Sequence, residues 1–332
     1  MQRYSINNTF KEEDTFCRDL SSKPLSQVGT ILVTGASGHV GGRLVPELLA
    51  RGYKVRIMLR GTSAVYKSRW AGAEVAVADA LNEERLKSAL DGIDTAYYLI
   101  HSMRMGSKGF EAADIKASAN FRKVADEKHV KRLIYLGGLG DIRSSLSSHL
   151  CNRIEVAREL KKGKTPVTVL RAAVIVGKGS ASYEIMQYLV KRLPVIPFPR
   201  QARNKCQPVA ISDVIKYLVG VLEVPDTTGK DFDIGGKDIL TYVEMLKVLA
   251  SLLDKRTILI PFPFLNIRLY TYLASLLTPI PTSITRCLVE GLKNESICHD
   301  ESIKKYFPFE PISYKEAVLM TIPPEKKYNA SV

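Results

Sequence analysis

Three glycines at three-residue intervals form the most informative pattern in the sequence. They lie in segment 33–42, which reads VTGASGHVGG and separates an apolar run from a helical pattern. Gly35 permits a sharp turn, Gly38 lets a pyrophosphate approach the backbone, and Gly41 lets the helix pack closely on the preceding strand. The helix N-terminus adds free N–H groups that bind phosphate. This context predicts a dinucleotide site rather than a plain tight turn. The expected contact residues are Thr34, Gly35, Ser37, Gly38, His39, Val40 and Gly41.

The end of the second predicted strand indicates which dinucleotide the site prefers. A site for NAD usually places Asp or Glu there to bind the ribose 2′-hydroxyl, whereas an Arg accommodates the 2′-phosphate of NADP. Here Arg60 follows the strand, and no carboxylate occurs between Val55 and Ser68. Arg60, alone or with Arg43 or Arg56, can form a charge-assisted contact with a phosphate. The sequence therefore favours NADP(H) over NAD(H), the alternative being a merely solvated Arg60.

Apolar strands alternate with helical patterns on both sides of these residues. Strands are predicted near 31–33, 55–59, 74–77, 96–100, 133–136 and 167–170, the last extended or closely followed by 174–176. Helical patterns follow the glycine segment and recur near 82–90, 109–128 and 147–162. This alternation predicts an α/β fold, a doubly wound parallel Rossmann sheet covered on both faces.

Composition and charge exclude several classes of protein. The 332 residues are 45% hydrophobic and 25% charged, as in ordinary globular proteins. Five scattered cysteines without a CxxC pair match neither a disulfide framework nor a metal site, so we expect a cytoplasmic protein without metal. The net charge of +14 is spread along the chain, and no nucleic-acid recognition motif accompanies it. We therefore expect a small-molecule substrate and no nucleic-acid partner.

The pattern changes after about residue 178, where prolines cluster and helices dominate. Helices are predicted near 182–192, 212–222, 241–254, 265–277 and 283–293, with a late strand at 232–234. We expect a mobile N-terminal extension (1–26), an NAD(P)-binding Rossmann domain (27–180), and a C-terminal part (181–332). The C-terminal part would combine late sheet strands with a small, mostly helical cap for substrate or partner.

Residues 258–280 are apolar enough to raise the question of a membrane. A spanning helix needs about 20 mostly apolar residues. Three prolines and Arg268 interrupt this stretch, and an Arg at the bilayer centre costs about 2.5–3.5 kcal/mol. We expect a buried or partner-facing helix, with interfacial membrane contact as the alternative. The region 258–290 is thus the candidate surface for a protein partner or for peripheral membrane association.

Further segments carry a resemblance to a known superfamily. The GxxGxxG spacing after Thr34 resembles the extended and atypical short-chain dehydrogenases/reductases. The other similar segments are Gly41–Leu49, Tyr97–Met103, Tyr135–Gly140 and Leu170–Gly177. Together they resemble a bacterial branch of NAD(P)H-binding, NmrA-like or epimerase-like proteins, over residues 29–320. The chain is also similar to the NADPH-carrying accessory subunit of respiratory complex I.

The resemblance implies roles for residues beyond the glycine loop. Asp79, with Ala80, matches the acidic position beside the adenine. Leu99, Ile100 and His101 match the segment that lines the nicotinamide ribose.

The resemblance also shows where this chain departs from active members. They usually carry Ser or Thr after the fifth strand and then Tyr-x-x-x-Lys on the next helix, with the Tyr as acid/base. Here that strand runs into Gly137–Gly140, and His149 and Arg153 stand at the Tyr and Lys positions. His149 is expected either to act as an acid/base near neutral pH or to be structural. Arg153 is expected to bind a ribose or phosphate.

The remaining catalytic candidates lie near the same predicted edge of the sheet. His101 would follow a parallel strand at its carboxyl end, where such sheets bind ligands, although a structural role is equally open. Tyr97 and Tyr98 alternate in direction, so one of them at most would face the cofactor. Ser102 and Tyr183 complete the set.

Two functions are consistent with these observations. One is an NADP(H)-dependent oxidoreductase, or an epimerase-like enzyme, that acts on a small molecule without the usual Tyr–Lys pair. The other is a non-catalytic NADPH-binding sensor or accessory protein that docks on a partner or a membrane. The missing Tyr-x-x-x-Lys favours the second, and the retained pocket-forming segments favour the first.

Overall fold

The computed structural model describes residues 15–61, 69–101, 109–140, 146–262 and 266–322. The strands in these residues are β1 (Thr30–Val33), β2 (Val55–Leu59), β3 (Glu74–Val77), β4 (Ile93–Tyr98), β5 (Arg132–Gly138), β6 (Val167–Ala172), β7 (Ile175–Val176), β8 (Val195–Phe198), β9 (Lys205–Cys206), β10 (Val209–Ala210), β11 (Asp231–Ile234), β12 (Leu240–Thr241) and β13 (Ile258–Pro261). The helices are α1 (Gly41–Ala50), α2 (Glu83–Ala89), α3 (Phe110–Glu127), α4 (Ser148–Lys161), α5 (Ala181–Arg192), α6 (Ile211–Glu223), α7 (Tyr242–Leu252), α8 (Ile267–Leu277), α9 (Thr282–Gly291) and α10 (Tyr314–Leu319).

A seven-stranded parallel sheet forms the centre of the molecule, in the order β11-β6-β5-β4-β1-β2-β3. The order reverses between β1 and β4, which both lie at the middle of the sheet. In register, Val33 lies opposite Ile57 of β2 and Tyr97 of β4, so these strands end at nearly the same level. In open α/β sheets, ligands bind outside the carboxyl ends of the strands at such a reversal. The predicted doubly wound Rossmann fold is confirmed.

Helices cover both faces of this sheet. Residues of α1 and α6 pack in one apolar core, and residues of α2, α3 and α4 pack in the other. The strands contribute side chains to both cores, because successive side chains of a strand point to opposite faces of the sheet. Tyr97 lies in the first core, where its hydroxyl donates to the carbonyl of Leu218 at 2.9 Å, and Tyr98 lies in the second.

The second half of the chain completes the sheet and builds a cap. The late strand β11 pairs in parallel with β6 at the sheet edge, and α6 covers the first core. Residues of α5, α7, α9 and α10 form a separate apolar cluster, which we call the cap core. Of the three two-stranded sheets, β7/β10 pairs strands from the two halves, and β9/β12 and β8/β13 lie within the second half. Among the described residues, no helix is long and apolar enough to cross a membrane.

The start of the described chain corrects one expectation. Residues 15–26 were expected to be mobile, but they pack against α1 and α6. The backbone N–H groups of Phe16 and Cys17 donate to the buried carboxylate of Glu47. Arg51 donates to the carbonyl of Cys17 at 3.1 Å and forms two bonds of 2.6 and 2.7 Å with Glu223.

Candidate functional site

The loop after β1 is built so tightly that two of its positions require glycine. Gly35 adopts a positive φ of 62°, and a Cβ there would lie 2.5 Å from the carbonyl oxygen of Leu99. A Cβ on Gly41 would lie 2.5 Å from the carbonyl oxygen of Gly35. Non-bonded atoms do not approach this closely, so a side chain at either position would clash. The two glycines therefore allow the loop to lie against β4 and α1 to begin directly over the sheet.

Gly38 lies on the open side of the same loop and forms a cradle. Its N–H donates to the Gly35 carbonyl at 2.8 Å, and both Ser37 and Gly38 are exposed. A Cβ on Gly38 would meet one described atom within 4 Å, the Gly35 oxygen at 3.0 Å. The space beside the backbone is therefore open, and the N-terminus of α1 follows. This geometry fits a diphosphate held by backbone N–H groups and the helix dipole.

Thr34 and Leu99 connect the two central strands beneath this cradle. The fully buried Thr34 hydroxyl donates to the carbonyl of Tyr97 at 3.0 Å and accepts from the N–H of Leu99 at 2.9 Å. Because its hydroxyl is used in this way, the Thr34 side chain positions the loop on β4. Ile100, the next residue, is half-buried and packs against the second core.

The side chain of His39 is more buried than is usual for a residue of a surface loop. Its ring contacts the 177–179 turn and is held by Arg43, whose Nη1 donates to the His39 carbonyl at 2.8 Å and lies 3.1 Å from Nδ1. Burial, and then the charge of Arg43, lowers the pKa of His39 to about 3. Arg can only donate, so Nδ1 accepts and Nε2 carries the hydrogen. That Nε2 is buried without a partner in the described part of the chain.

The basic residues near the second strand have different environments. Arg56 donates to the carbonyls of Ala89 and Asp91 and pairs with Glu74 at 2.9 Å, so the expectation that it assists a 2′-phosphate is wrong. The Arg43 guanidinium also donates to the carbonyl of Lys178 at 2.6 Å, across the loop from β2. Arg60 is exposed directly after β2.

Arg69 is a basic residue of this region that sequence reasoning missed. A Cβ placed on Gly42 would lie 3.1 Å from its Nη2, so the guanidinium lies against the first turn of α1. Its charge helps to lower the pKa of Arg43, after burial. Arg69 follows a stretch outside the described residues, and no spacing in the sequence links it to the glycine loop.

The turn after β3 carries Asp79 and Ala80, the residues expected beside the adenine. Asp79 accepts from the N–H of Leu81 at 2.9 Å through Oδ1, and its carbonyl accepts from the N–H of Asn82 at 2.9 Å. The buried Ala80 accepts through its carbonyl from the side chain of Asn120 on α3 at 3.1 Å. These bonds fix the Asp79 carboxylate at the carboxyl edge of the sheet.

Two histidines from distant parts of the sequence stack at the carboxyl ends of β4 and β5. His101 follows β4 and His149 lies in the first turn of α4, with ring centroids 4.8 Å apart and ring planes at 22°. Nδ1 of His101 lies 3.3 Å from Oδ2 of Asp114, a carboxylate that is 3% exposed on α3. Asn152 on α4 donates to the same oxygen at 2.9 Å. Asp114 thereby orients the His101 ring.

The pKa values of the two histidines are shifted by different surroundings. Burial lowers the pKa of His101 and Arg153 lowers it further, while the bond to Asp114 opposes both. Burial lowers the pKa of His149 to about 3, and the nearby His101 and Arg153 add to this effect. A pKa lowered this far disfavours an acid/base role for His149 near neutral pH, because its charged form has lost water and lies near Arg153.

Arg153 lies one helical turn after His149 and is fixed against β5. Its Nη2 donates to the carbonyl of Leu136, and its guanidinium lies 5.6 Å from the centre of the Tyr135 ring. The glycines at the end of β5 leave room for α4, since a Cβ on Gly138 would lie 2.9 Å from a methyl carbon of Leu150. Leu150 thus packs closely against Gly138, at the end of the strand where a hydroxyl residue was expected.

Both rings have one nitrogen atom that no described group satisfies. These atoms are Nε2 of His101 and Nδ1 of His149, and both are buried. A buried polar atom without a partner costs about 1–3 kcal/mol. Two such atoms on adjacent rings indicate a place where a bound ligand supplies the missing hydrogen bonds.

The tyrosine candidates do not reach this place. Tyr98 is 1% exposed and packs edge-on against Phe121 at 5.0 Å, so its hydroxyl lies in the second core. The hydroxyl of Tyr183 bonds with Thr321 at 2.5 Å in the cap. Both expectations are wrong, because apolar packing surrounds one ring and cap contacts hold the other. Ser102 lies outside the described residues.

Asp114 and Asn152 are site residues that sequence reasoning missed. Asp114 lies on the face of α3 that also carries Ala117, Ser118 and Phe121, all of them buried. The signal that could have identified Asp114 is its spacing: it shares one helix face, at i, i+3, i+4 and i+7, with residues of the core. Among the described residues, no group of three His, Cys, Asp or Glu side chains could bind a metal ion.

Comparisons with known proteins agree with this geometry. Residues 35–187 match the family described as NAD(P)H-binding, from the first glycine of the loop into α5. The fold is similar to that of triphenylmethane reductase from Citrobacter sp. complexed with NADP(H), with a TM-score of 0.71 and 19% identity over 88% of this chain and 100% of the other. Residues 35–187 are thus similar to an NAD(P)H-binding family, within a fold similar to that of the reductase.

The related proteins differ in what their names describe. NADH dehydrogenase [ubiquinone] 1 alpha subcomplex subunit 9 of Arabidopsis thaliana is 24% identical over 72% of this chain. Photosystem II assembly factor Ycf39 of Trieres chinensis is 24% identical over 63% of it. The matches span 62% and 64% of those two proteins. An NADPH-dependent quinone oxidoreductase from Escherichia coli, complexed with NADPH, has a TM-score of 0.70 at 20% identity, over 87% of this chain and 99% of its own.

Proposed function

We propose that this NAD(P)H-binding protein is an NADP(H)-dependent oxidoreductase of a small carbonyl or alcohol compound that uses a histidine in place of the usual Tyr–Lys pair. The observation that supports this most strongly is the stacked pair His101 and His149 at the carboxyl ends of β4 and β5, in which two buried nitrogens have no partner among the described residues.

The nucleotide is bound by residues already described. The Gly38 backbone and the start of α1 bind the diphosphate, and Asp79 lies at the adenine. Arg60 and Arg69 supply positive charge on the β2 side of α1, which suits a 2′-phosphate. When bound, the nicotinamide supplies or accepts a hydride.

His101 carries the proton in this proposal. Its Nδ1–H donates to Asp114, which leaves the Nε2 lone pair for the substrate oxygen. In the oxidation direction neutral His101 accepts the alcohol proton, and in the reduction direction its imidazolium returns it. His149 stays neutral, stacks on His101 and offers Nδ1 for a hydrogen bond to substrate or ribose.

A second candidate is a nucleotide-binding accessory protein. Two relatives are named as a respiratory-complex subunit and as an assembly factor. The missing Tyr–Lys pair also favours this alternative. In that case NADPH would stabilise the fold without turnover, since a ligand that binds only the folded state raises the melting temperature.

One set of measurements separates these functions. The purified protein is titrated with NADPH and NADH, and NADPH oxidation is then followed with a panel of aldehydes, ketones and quinones. We expect tighter binding of NADPH and turnover with at least one compound. Binding that raises the melting temperature, without turnover across the panel, would favour the accessory protein. Failure to bind either nucleotide would contradict both.

A further inference from the structure

Large apolar side chains are concentrated on one part of the surface. On β13, on the residue after it and on α8, those most exposed are Ile258, Ile260, Phe262, Leu269, Tyr272, Leu273 and Leu276. We call this set the β13–α8 face; its members are 39% to 62% exposed. Single exposed apolar residues are normal, whereas a contiguous patch marks an interaction site.

The strand and the helix bury one side and expose the other. Leu259 packs against the cap core while its neighbours Ile258 and Ile260 face outward, as alternation along a strand requires. On α8, Ile267, Tyr270, Thr271 and Ala274 are buried, and the apolar residues between them are exposed. A surface helix normally carries polar residues on its outer side, and no described residue covers the apolar outer side of α8.

The strand and the helix are connected through α5 and β8. Nη1 of Arg192, at the end of α5, donates to the carbonyl of Leu277 at the end of α8 at 2.7 Å. The chain then enters β8, where Val195 pairs with Ile258. Both β13 and α8 pack on the cap core, through Leu259 and Leu277. Four of the exposed residues share one side of α8 at i, i+3, i+4 and i+7 spacing: Leu269, Tyr272, Leu273 and Leu276.

The charges near this surface in the sequence are mostly positive. Lys255 and Arg256 precede β13, and Arg268 lies in the first turn of α8; all three are exposed. Residues 251–281 contain these three cations against a single carboxylate, Asp254. Apolar side chains with adjacent cations are the combination that binds a membrane surface carrying anionic lipids.

We propose that the β13–α8 face docks the protein on an anionic lipid bilayer. Its apolar side chains enter the boundary between headgroups and acyl chains, and Lys255, Arg256 and Arg268 contact lipid phosphates. A second copy of the chain is a poorer partner, because a two-fold interface would bring the same cations together. The bilayer supplies both the apolar layer and the negative charge.

Vesicle sedimentation of the full-length protein tests this docking. Vesicles contain phosphatidylcholine alone or a mixture with phosphatidylglycerol. We expect sedimentation with the anionic vesicles that weakens as salt is added. The double variant Tyr272→Glu/Leu276→Glu removes two large apolar contacts and should lower the protein's affinity for the vesicles by about tenfold or more. The variant Lys255→Glu/Arg256→Glu should also lower this affinity, but for the anionic vesicles alone.

Ile239→Glu/Met320→Glu is the matched control. These side chains are 50% and 59% exposed, close to the 58% and 62% of Tyr272 and Leu276, but they lie on other elements. This control should sediment like the wild type, and melting temperatures show that each variant folds. Absence of wild-type sedimentation, or an equal loss in the control, would overturn the proposal. A dimer in gel filtration that Tyr272→Glu/Leu276→Glu dissociates would assign the face to a second copy instead.

Discussion

The imidazole rings of His101 and His149 stack 4.8 Å apart, yet among the described residues a carboxylate bonds only to His101. Asp114 fixes the orientation of His101, whereas burial and the nearby Arg153 keep His149 neutral. The two histidines therefore differ in their ability to exchange a proton, because different groups surround each ring. The position that matches the usual Tyr is occupied by His149, but the proton carrier that the geometry favours is the histidine after β4.

The buried neutral histidines should make the fold sensitive to acid. The pKa values of His39 and His149 are about 3 in the folded protein, against about 6.5 when unfolded. Between these values the unfolded chain binds more protons, so the free energy of unfolding falls as pH falls. The slope is about 1.4 kcal/mol per pH unit for each histidine.

Urea unfolding at pH 7 and pH 5 measures this slope. His149→Gln should remove about 2 kcal/mol of the stability difference between the two pH values. The matched control is His129→Asn, at an exposed position with a positive φ of 55° that Asn tolerates. A His149→Gln protein that loses as much stability as the wild type on acidification would show that His149 is not held neutral.

Gly38 should be essential for nucleotide binding rather than for folding. A valine there would place methyl groups in the open space beside the loop, so we expect NADPH affinity to fall about tenfold or more. Gly291→Val is the control, because a Cβ at Gly291 meets nothing within 4 Å. Nucleotide titration of the folded variants gives the answer, and unchanged affinity in Gly38→Val would refute the cradle.

Arg60 should distinguish the two nucleotides. A charged hydrogen bond is worth about 1.5–3 kcal/mol, so Arg60→Ala should weaken NADPH about 10- to 150-fold and NADH little. Arg56→Ala is the comparison, since its guanidinium bonds with Ala89, Asp91 and Glu74, and both nucleotides should respond alike. Equal losses of NADPH and NADH in Arg60→Ala would exclude a 2′-phosphate contact.

The fold and the glycine loop were predictable because both depend on local pattern. Alternating apolar strands and helices specify a parallel sheet, and Gly35, Gly38 and Gly41 mark the turn by spacing alone. The late strand β11 was also visible as an apolar segment, although its pairing with β6 was not. Pairs such as β8 with β13 were missed, because short strands held by the cap leave no distinct pattern.

The candidate site was predictable in part. His101 and His149 could be named singly, but stacking is a contact between residues that the sequence separates widely. The low pKa of His149 arises from burial and from Arg153, which no local pattern reveals. Tyr98 was misassigned because strand alternation gives two faces, and in this sheet helices cover both.

The pH dependence of turnover should follow His101. Its pKa lies below the usual value of 6.5 because burial outweighs the bond to Asp114. Carbonyl reduction needs the protonated ring, so its rate should fall as pH rises through this lowered pKa, while alcohol oxidation should rise. A profile measured in both directions tests this, and opposite trends would contradict a proton carried by His101.

The most direct measurement compares turnover in His101→Gln and His149→Phe with a compound that the wild type reduces. His101→Gln removes the proton carrier and should lower kcat about 100-fold or more, with NADPH affinity nearly unchanged. His149→Phe keeps an aromatic ring against His101 and should lower kcat by less than about tenfold. If His149→Phe abolishes turnover while His101→Gln retains it, or if both variants keep the wild-type rate, His101 is not the proton carrier.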